Sequence, residues 1–554
     1  MIKTDPPITP AANPALSRRN LFKLGGLAAA SAGTPALARS FGTGFTHGVA
    51  SGEPKTDRVM LWTRYVADQE TRLVCEVSDT PEFSRIISEG TIMASPSRDW
   101  CAKTWGNGLQ PDSWYYYRFT APDGTRSEVG RTRTLPEGQT KRWRMAVFSC
   151  SNYGFGYFNA YAHAAQANDV DLAVHLGDYI YEYGAGTYPS VNDAHPSRML
   201  FPDSEIVALS DYRQRYATYR SDPDLRRIHQ LLPMIAIWDD HESTNDSWKD
   251  GAQNHQPETE GNWDVRKAAA KRVYREWMPV SDEPYAEYQI GDLATLIRLD
   301  TRLEGREEQF SIGDVIQGKR TPDEIGAALT AFREGAYQAK DRELLGAAQN
   351  AWLAERLMAS RSAGTQWQVL VQQVLMGELY TAPQLAEAVP ESAPDFIKRR
   401  VQASALAGRA GIPANMDAWD GYPAARARVL EAALAADANL ISLAGDTHNA
   451  WGFDLTHDSA SAGVEFATQS VSSPGLESYL GAIPPSDLAR AVVGHNAGLK
   501  FADTSQRGYM VVELTPQMAS AEFRFMSGIR QRSVQLAGTR RITSSAGANA
   551  ITDG

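Results

Sequence analysis

Between residues 143 and 449 this chain returns six times to one pattern: a short apolar run that stops on side chains able to do chemistry. Trp143–Phe148 stops at Ser149, Cys150, Ser151 and Asn152, and Asp169–Leu176 stops at Gly177 and Asp178, with Tyr181 just beyond. Pro233–Trp238 stops at Asp239, Asp240, His241 and Glu242, and Ala294–Leu299 at Asp300, Thr301 and Arg302. Trp367–Val371 stops at Gln372 and Gln373, and Asn439–Gly445 at Asp446, Thr447, His448 and Asn449. Runs of this length, bounded by polar residues, read as buried strands. Helical patterns lie between them, among them Asp211–Arg220 with tyrosines on one face and the amphipathic stretch Asp341–Ser360. Strands alternating with helices predict a layered α/β domain. In such sheets ligands bind just beyond the carboxyl ends of strands, which is where these polar residues stand.

The flanks read differently. Residues 41–135 predict an all-β immunoglobulin- or fibronectin-like sandwich, because Val59–Arg64, Arg72–Val77 and Trp114–Phe119 are β-branched and aromatic and are punctuated by turn residues. His47 and Glu53 fit a domain-entry turn better than a ligand site. A linker, Leu135–Thr140, leads into an α/β domain over 140–530, closed by an antiparallel pair at Tyr509–Leu514 and Ala521–Phe525. Residues 531–554, rich in Ser, Ala and Gly, read as a flexible tail. At the other end, Ser17-Arg18-Arg19-Asn20-Leu21-Phe22-Lys23, a weakly apolar run and Ala36-Leu37-Ala38 have the order of a twin-arginine signal over 1–38. The expected partner there is the twin-arginine export machinery, and the destination is the periplasm or the outside of the cell. That apolar run is too short and too rich in Ala and Gly to span a bilayer, so no transmembrane anchor is expected. A net charge of −11 argues against a nucleic-acid-binding surface. The chain has three cysteines; Cys75 and Cys101 could pair, which leaves Cys150 over at a strand end.

The strand ends supply Cys150, Asp178, Tyr181, Asp240, His241, Asp446 and His448. Each has an ordinary structural reading alone: a buried thiol, a helix cap, a hydrogen-bonded core imidazole. Together, so many carboxylates would repel unless cations stood among them. Thiolate, phenolate and imidazole suit a transition ion, and carboxylate and amide oxygens suit a hard divalent ion. A mixed centre of two or more metals follows, with Asp178 the natural bridge.

The motifs Gly177-Asp178-Tyr179-Ile180-Tyr181, Asp239-Asp240-His241-Glu242 and Gly445-Asp446-Thr447-His448 resemble blocks of the purple acid phosphatases and related metallophosphoesterases, with Asp240 and Asp446 as departures. Those departures, together with His47–Pro54, Asp57–Arg64, Phe148–Asn152 and the signal, resemble the PhoD-type alkaline phosphatases over nearly the whole chain. The resemblance implies a metallophosphoesterase domain of two sheets flanked by helices, preceded by a β-sandwich. It implies a centre of Fe(III) and Ca(II), with Cys150, Asp178 and Tyr181 on the iron side. Asp446 and His448 would complete the cluster, Asp240 would hold the divalent ion and Asn245 would assist. Gln373 stands where other branches carry a His ligand. The activity implied is release of phosphate from phosphoesters, by attack of metal-activated water. His241 would then donate to phosphate or protonate the leaving oxygen, Arg302 would fork onto phosphate or pair with Asp300, and Asn152 and Asn449 would donate to phosphate. The rival readings are a phospholipase D-like phosphodiesterase on the same scaffold and a non-catalytic surface binding protein.

Overall fold

The computed structural model describes residues 42–383, 385, 395–413, 415–481 and 483–553; the signal-like segment 1–38 lies outside them. Seven strands come first: β1 (Gly44–Gly52), β2 (Arg58–Val66), β3 (Thr71–Ser78), β4 (Ile86–Ala94), β5 (Cys101–Asn107), β6 (Trp114–Thr120) and β7 (Gly130–Arg133). One layer has the order β4-β3-β6-β7, and β1, β2 and β5 form the other. Val49, Val59 and Leu61 meet Cys75, Val77, Tyr117 and Phe119 between the layers, which is sandwich packing. The second layer is not confined to the sandwich. β1 pairs in parallel with β10 (Pro233–Ala236), Ser51 against Pro233 and Gly52 against Met234. His47 lies within β1 and Glu53 follows it directly, so neither forms a simple entry turn.

All six apolar runs are strands. β8 (Trp143–Phe148), β9 (Leu172–His175) and β10 lie side by side in parallel. After a small hairpin, β11 (Ser247–Trp248) and β12 (Gly251–Ala252), comes a seven-stranded sheet. Its strands are β13 (Ala286–Ile290), β14 (Ala294–Arg298), β15 (Trp367–Val371), β16 (Leu440–Ala444), β17 (Ala450–His457), β18 (Ala460–Ala467) and β19 (Leu499–Asp503). Here β14, β15 and β16 are the parallel trio. The chain then returns to the first sheet through β20 (Gly508–Leu514), β21 (Met518–Met526), β22 (Leu536–Ser545) and β23 (Thr552–Asp553). The first sheet thus has ten strands, in the order β23-β22-β21-β20-β8-β9-β10-β1-β2-β5.

The two large sheets face each other across one apolar layer. Met145, Val147, Leu172, Val174 and Ile235 come from the first, and Leu296, Val369, Val371, Ile441 and Leu443 from the second. Parallel strands buried on both faces need continuous apolar runs, which is why the six runs do not alternate. Helices Asn159–Ala167, Leu209–Arg220, Pro223–Leu231 and Trp263–Trp277 cover the outer face of the first sheet. Helices Ala347–Ser362, Pro423–Ala435 and Pro485–His495 cover that of the second.

Three expectations are corrected. The segment 531–554 is not a flexible tail: β22 pairs with β21 along its length and buries Ile542. A strand near the sheet margin needs few apolar side chains because backbone hydrogen bonds hold it, so its Ser-, Thr- and Gly-rich composition is no guide to order. Cys75 and Cys101 are both free and buried. Cys75 faces the sandwich interior and Cys101 the helix-covered core, so the two thiols belong to different packing layers. The helix expected from Asp341 begins only at Ala347, after Gly346 at φ 77°.

Candidate metal centre

The strand ends converge because the loops that leave them approach closely. At Gly177 a Cβ would lie 2.4 Å from the Cβ of Asp239, and at Gly445 one would lie 2.2 Å from the Oγ of Ser149. Only glycine permits either approach. The loops are then cross-linked: Cys150 N donates to Gly177 O at 3.1 Å, Ser151 N to Asp178 O at 2.9 Å, and Val471 N to Ser149 O at 2.9 Å. Glu242 clamps the Asp178 loop by accepting from the backbone of Asp178 (3.1 Å), Tyr179 (2.6 Å) and Asp239 (2.8 Å).

Four of the expected ligands adopt costly backbone conformations to reach their position. Cys150, Asp178, Asp446 and His448 have φ of 57°, 56°, 60° and 65°. The left-handed region is uncommon for any residue but glycine and costs about 1 kcal/mol or more each. Such strain collects where the surrounding structure must aim a side chain.

The side chains meet. Ligand atoms of Cys150, Asp178 and His448 lie within 4.8 Å of one another, as do those of Asp178, Asp240 and His241, and those of Asp239, Asp240 and Asp446. Tyr181 Oη lies 2.9 Å from Asp178 Oδ2 and 3.3 Å from His448 Nε2. Asp178 thus belongs to both of the first two groups, the place expected of a bridge. His448 Nδ1 donates to Pro474 O at 2.7 Å, which leaves the Nε2 lone pair pointing at the cluster, toward Tyr181 Oη. Burial pushes His448 down to about 3, so its imidazole is neutral.

The donor set fits a cation. Burial, with Asp240 and Asp239 adding to it, holds the Asp178 carboxyl well above its usual range, and burial with Asp239 does the same to Asp446. Burial and the Asp178 charge push the Cys150 thiol up. Two like charges 4 Å apart repel by about 4 kcal/mol at an effective dielectric of 20. Asp178 Oδ1 and Asp239 Oδ2 are buried with no hydrogen-bond partner. Orphaned carboxylate oxygens amid thiol, phenol and imidazole donors are what a metal site requires.

The remaining candidates fall into two groups. His241 is at the centre: its Nδ1 is 2.7 Å from Glu182 Oε2. Burial alone would depress this imidazole, but Asp240, Glu182 and Asp178 outweigh burial and hold it well above its ordinary value. Glu182 is fully buried and also accepts from Thr244, Asn245 and Asn254. Nothing in the sequence singles it out, since it follows Tyr181 as one more residue of a loop.

The other group is occupied elsewhere. Arg302 is buried, with Nε 2.5 Å from Asp239 and Nη1 2.7 Å from Asp417. A two-pronged grip on phosphate is therefore not available to it, and its ion pairs are with Asp239 and Asp417 rather than Asp300. Its remaining Nη2 stands 3.9 Å from Asp240 and 3.7 Å from Asp446 as a counter-charge. Asn152 caps the short helix Tyr153–Phe155 through Gly154 N, and its amide donates to Tyr188 O. Asn449 bonds Thr447 O and Leu476 N. Asn245 donates its side-chain N–H to Gln253 at 3.0 Å, a bond that does not use its Oδ1, the atom a cation would take. Gln373 is engaged by Trp238 O, Leu299 O and Thr301.

Comparison with known proteins identifies the family. A family model described as PhoD-like phosphatase matches residues 145–523, and one described as PhoD-like phosphatase, N-terminal domain, matches 29–136. Alkaline phosphatase D of Bacillus subtilis (strain 168) is 33% identical over 512 residues, covering 87% of this chain and 77% of that protein. A solved structure described as the structure of PhoD superposes with a TM-score of 0.73 at 29% identity, covering 92% of each chain. With both domains matched in order and the strand-end cluster in place, this chain belongs to the PhoD-like phosphatase family and is a phosphoester hydrolase.

Proposed function

We propose that the protein is an exported, metal-dependent phosphatase and phosphodiesterase whose centre combines Fe(III) and Ca(II). Cys150, Asp178, Tyr181 and His448 would hold the iron, Asp240 and Asp446 the divalent ion, and Asp178 would bridge. The observation that carries this reading is the buried, unpartnered Asp178 Oδ1 among donors of two chemical kinds. When bound, such metals lower the pKa of water and neutralise phosphoryl charge.

The chain's own residues do the rest. Glu182 holds the Nδ1 proton of His241, so Nε2 is the atom that donates to phosphate or protonates the departing oxygen. Arg302 offsets the carboxylates without leaving the core. Asp446 and His448 are only half-buried and face the open side, where an ester can enter. Export is supported by Ser17–Lys23 and the small-residue cleavage site; no helix among the described residues is long and apolar enough to cross a membrane.

The test is elemental analysis of natively exported protein together with a phosphoester panel. We expect iron and calcium, a visible charge-transfer band and loss of both band and activity on chelation. Asp178→Asn should abolish turnover and metal retention with the fold intact. Colourless, iron-free protein with full activity would remove Cys150 and Tyr181 from the centre.

A further inference from the structure

A cavity of about 440 Å³ adjoins the centre, with Asp246, Asp417, Asp446 and His448 at one end. Away from that end its wall is mainly apolar and aromatic, with Leu379, Tyr380, Trp451, Leu476, Tyr479 and Leu480, and with Thr381, Ser404 and Asn415 as polar members. Among the described residues that line it there is no Lys or Arg. Tyr479, at 46% exposure, is a large aromatic left uncovered by the other described residues. The volume is that of a small-molecule site.

One side of this wall is built rather than loose. The segment from Met376 to Tyr380 has no regular structure of its own, and buried polar side chains from several elements hold its backbone. Glu465 of β18 accepts from Met376 N and Gly377 N, each at 2.9 Å. Arg426 donates to Met376 O at 2.7 Å, and Asp420 accepts from Leu379 N at 3.0 Å. Asn496 accepts from Tyr380 N at 2.7 Å and donates to Tyr380 O at 3.0 Å. Burying carboxylates to fix an irregular loop is costly, and the result is that Leu379 and Tyr380 are presented rigidly beside the metal ligands, the support that a binding wall requires.

We propose that this cavity receives the alcohol side of the phosphoester and that its natural occupant is an uncharged apolar group, alkyl or aryl. The inference rests on the hydrolase reading of the adjoining centre. A second anionic group, such as the further phosphates of a nucleotide, would find no Lys or Arg among the described residues of the wall to receive it. An apolar group gains the burial of its surface, about 0.8 kcal/mol for each methylene.

Ethyl, butyl and hexyl phosphate separate these effects, because their leaving alcohols differ little in acidity. With the metal-loaded enzyme, kcat/KM should rise about two- to fourfold per methylene until the cavity fills. A hexyl phosphate ending in a carboxylate should lose that gain. Leu480→Asn and Tyr380→Ser should flatten the slope of the series. A flat series with phosphate still released overturns the cavity assignment and leaves the hydrolase standing, and so does an unchanged slope in both variants. Absence of hydrolysis throughout, with bis(4-nitrophenyl) phosphate also inert, is a different failure: the phosphoesterase reading falls and the cavity assignment with it.

Discussion

At the scale of single residues, the centre is an arrangement of backbone angles as much as of side chains. Cys150, Asp178, Asp446 and His448 all sit with positive φ at strand ends, which turns each side chain inward over the rim. Positioning residues sustain this. Glu242 grips the loop that carries Asp178, and burial, against the N–H donors it accepts from, pushes its own carboxyl up to about 8. Glu182 grips His241. Such partners of active groups are worth about 10- to 100-fold in activity or metal affinity. Glu182→Gln should therefore lower kcat by at least about tenfold and broaden the pH profile while metal content stays full. An unchanged kcat with only a lower melting temperature would make Glu182 purely structural.

At the scale of elements, two parallel trios face each other across one core, β8-β9-β10 in the first sheet and β14-β15-β16 in the second. Their carboxyl ends form a common rim, so residues distant in sequence become neighbours there. The terminal strands complete the first sheet: β22 covers the open edge of β21, whose Phe523 and Phe525 belong to the core. Truncation after Ser533 should expose that edge as a template for pairing with other chains. We expect a lower melting temperature and aggregation on heating, read by light scattering; a truncated protein as stable and monodisperse as the full chain would show that the edge needs no cover.

At the scale of the whole molecule, the sandwich and the α/β domain share one sheet, the ten-stranded one. β1 hydrogen-bonds to β10, and Arg298 Nη1 of β14 meets Glu53 Oε1 at 2.7 Å in the buried seam. Trp277 Nε1 donates to Asp99, and Trp62 Nε1 to Glu276 O, across the same boundary. One cooperative unfolding transition is expected in calorimetry rather than two. Glu53→Ala should destabilise the whole by about 3–5 kcal/mol, because it leaves a buried guanidinium without its partner. Two resolved transitions, only one of them shifted by the substitution, would establish independent domains.

Much of the fold and of the centre is legible in the order of residues along the chain. The six strands show themselves because parallel strands buried on both faces must be apolar throughout, and the family blocks mark Cys150, Asp178, Tyr181, Asp240, His241, Asp446 and His448 as a set. What local pattern does not reveal is everything that depends on contacts across space. Glu182 and the Glu465–Arg426–Asp420–Asn496 clamp are ordinary polar residues until their partners arrive. Arg302 reads as a phosphate fork or a partner of Asp300, yet Asp239 and Asp417, far apart in sequence, take two of its donors. The segment that forms β22 reads as mobile because its order comes from backbone pairing with β21, not from its side chains. Periodicity and motif are written along the chain, so sequence alone determined the strands, the layered class and the family. Charge neutralisation, hydrogen-bond partnership and the shape of the cavity arise only when distant segments meet, and those the tertiary structure decided.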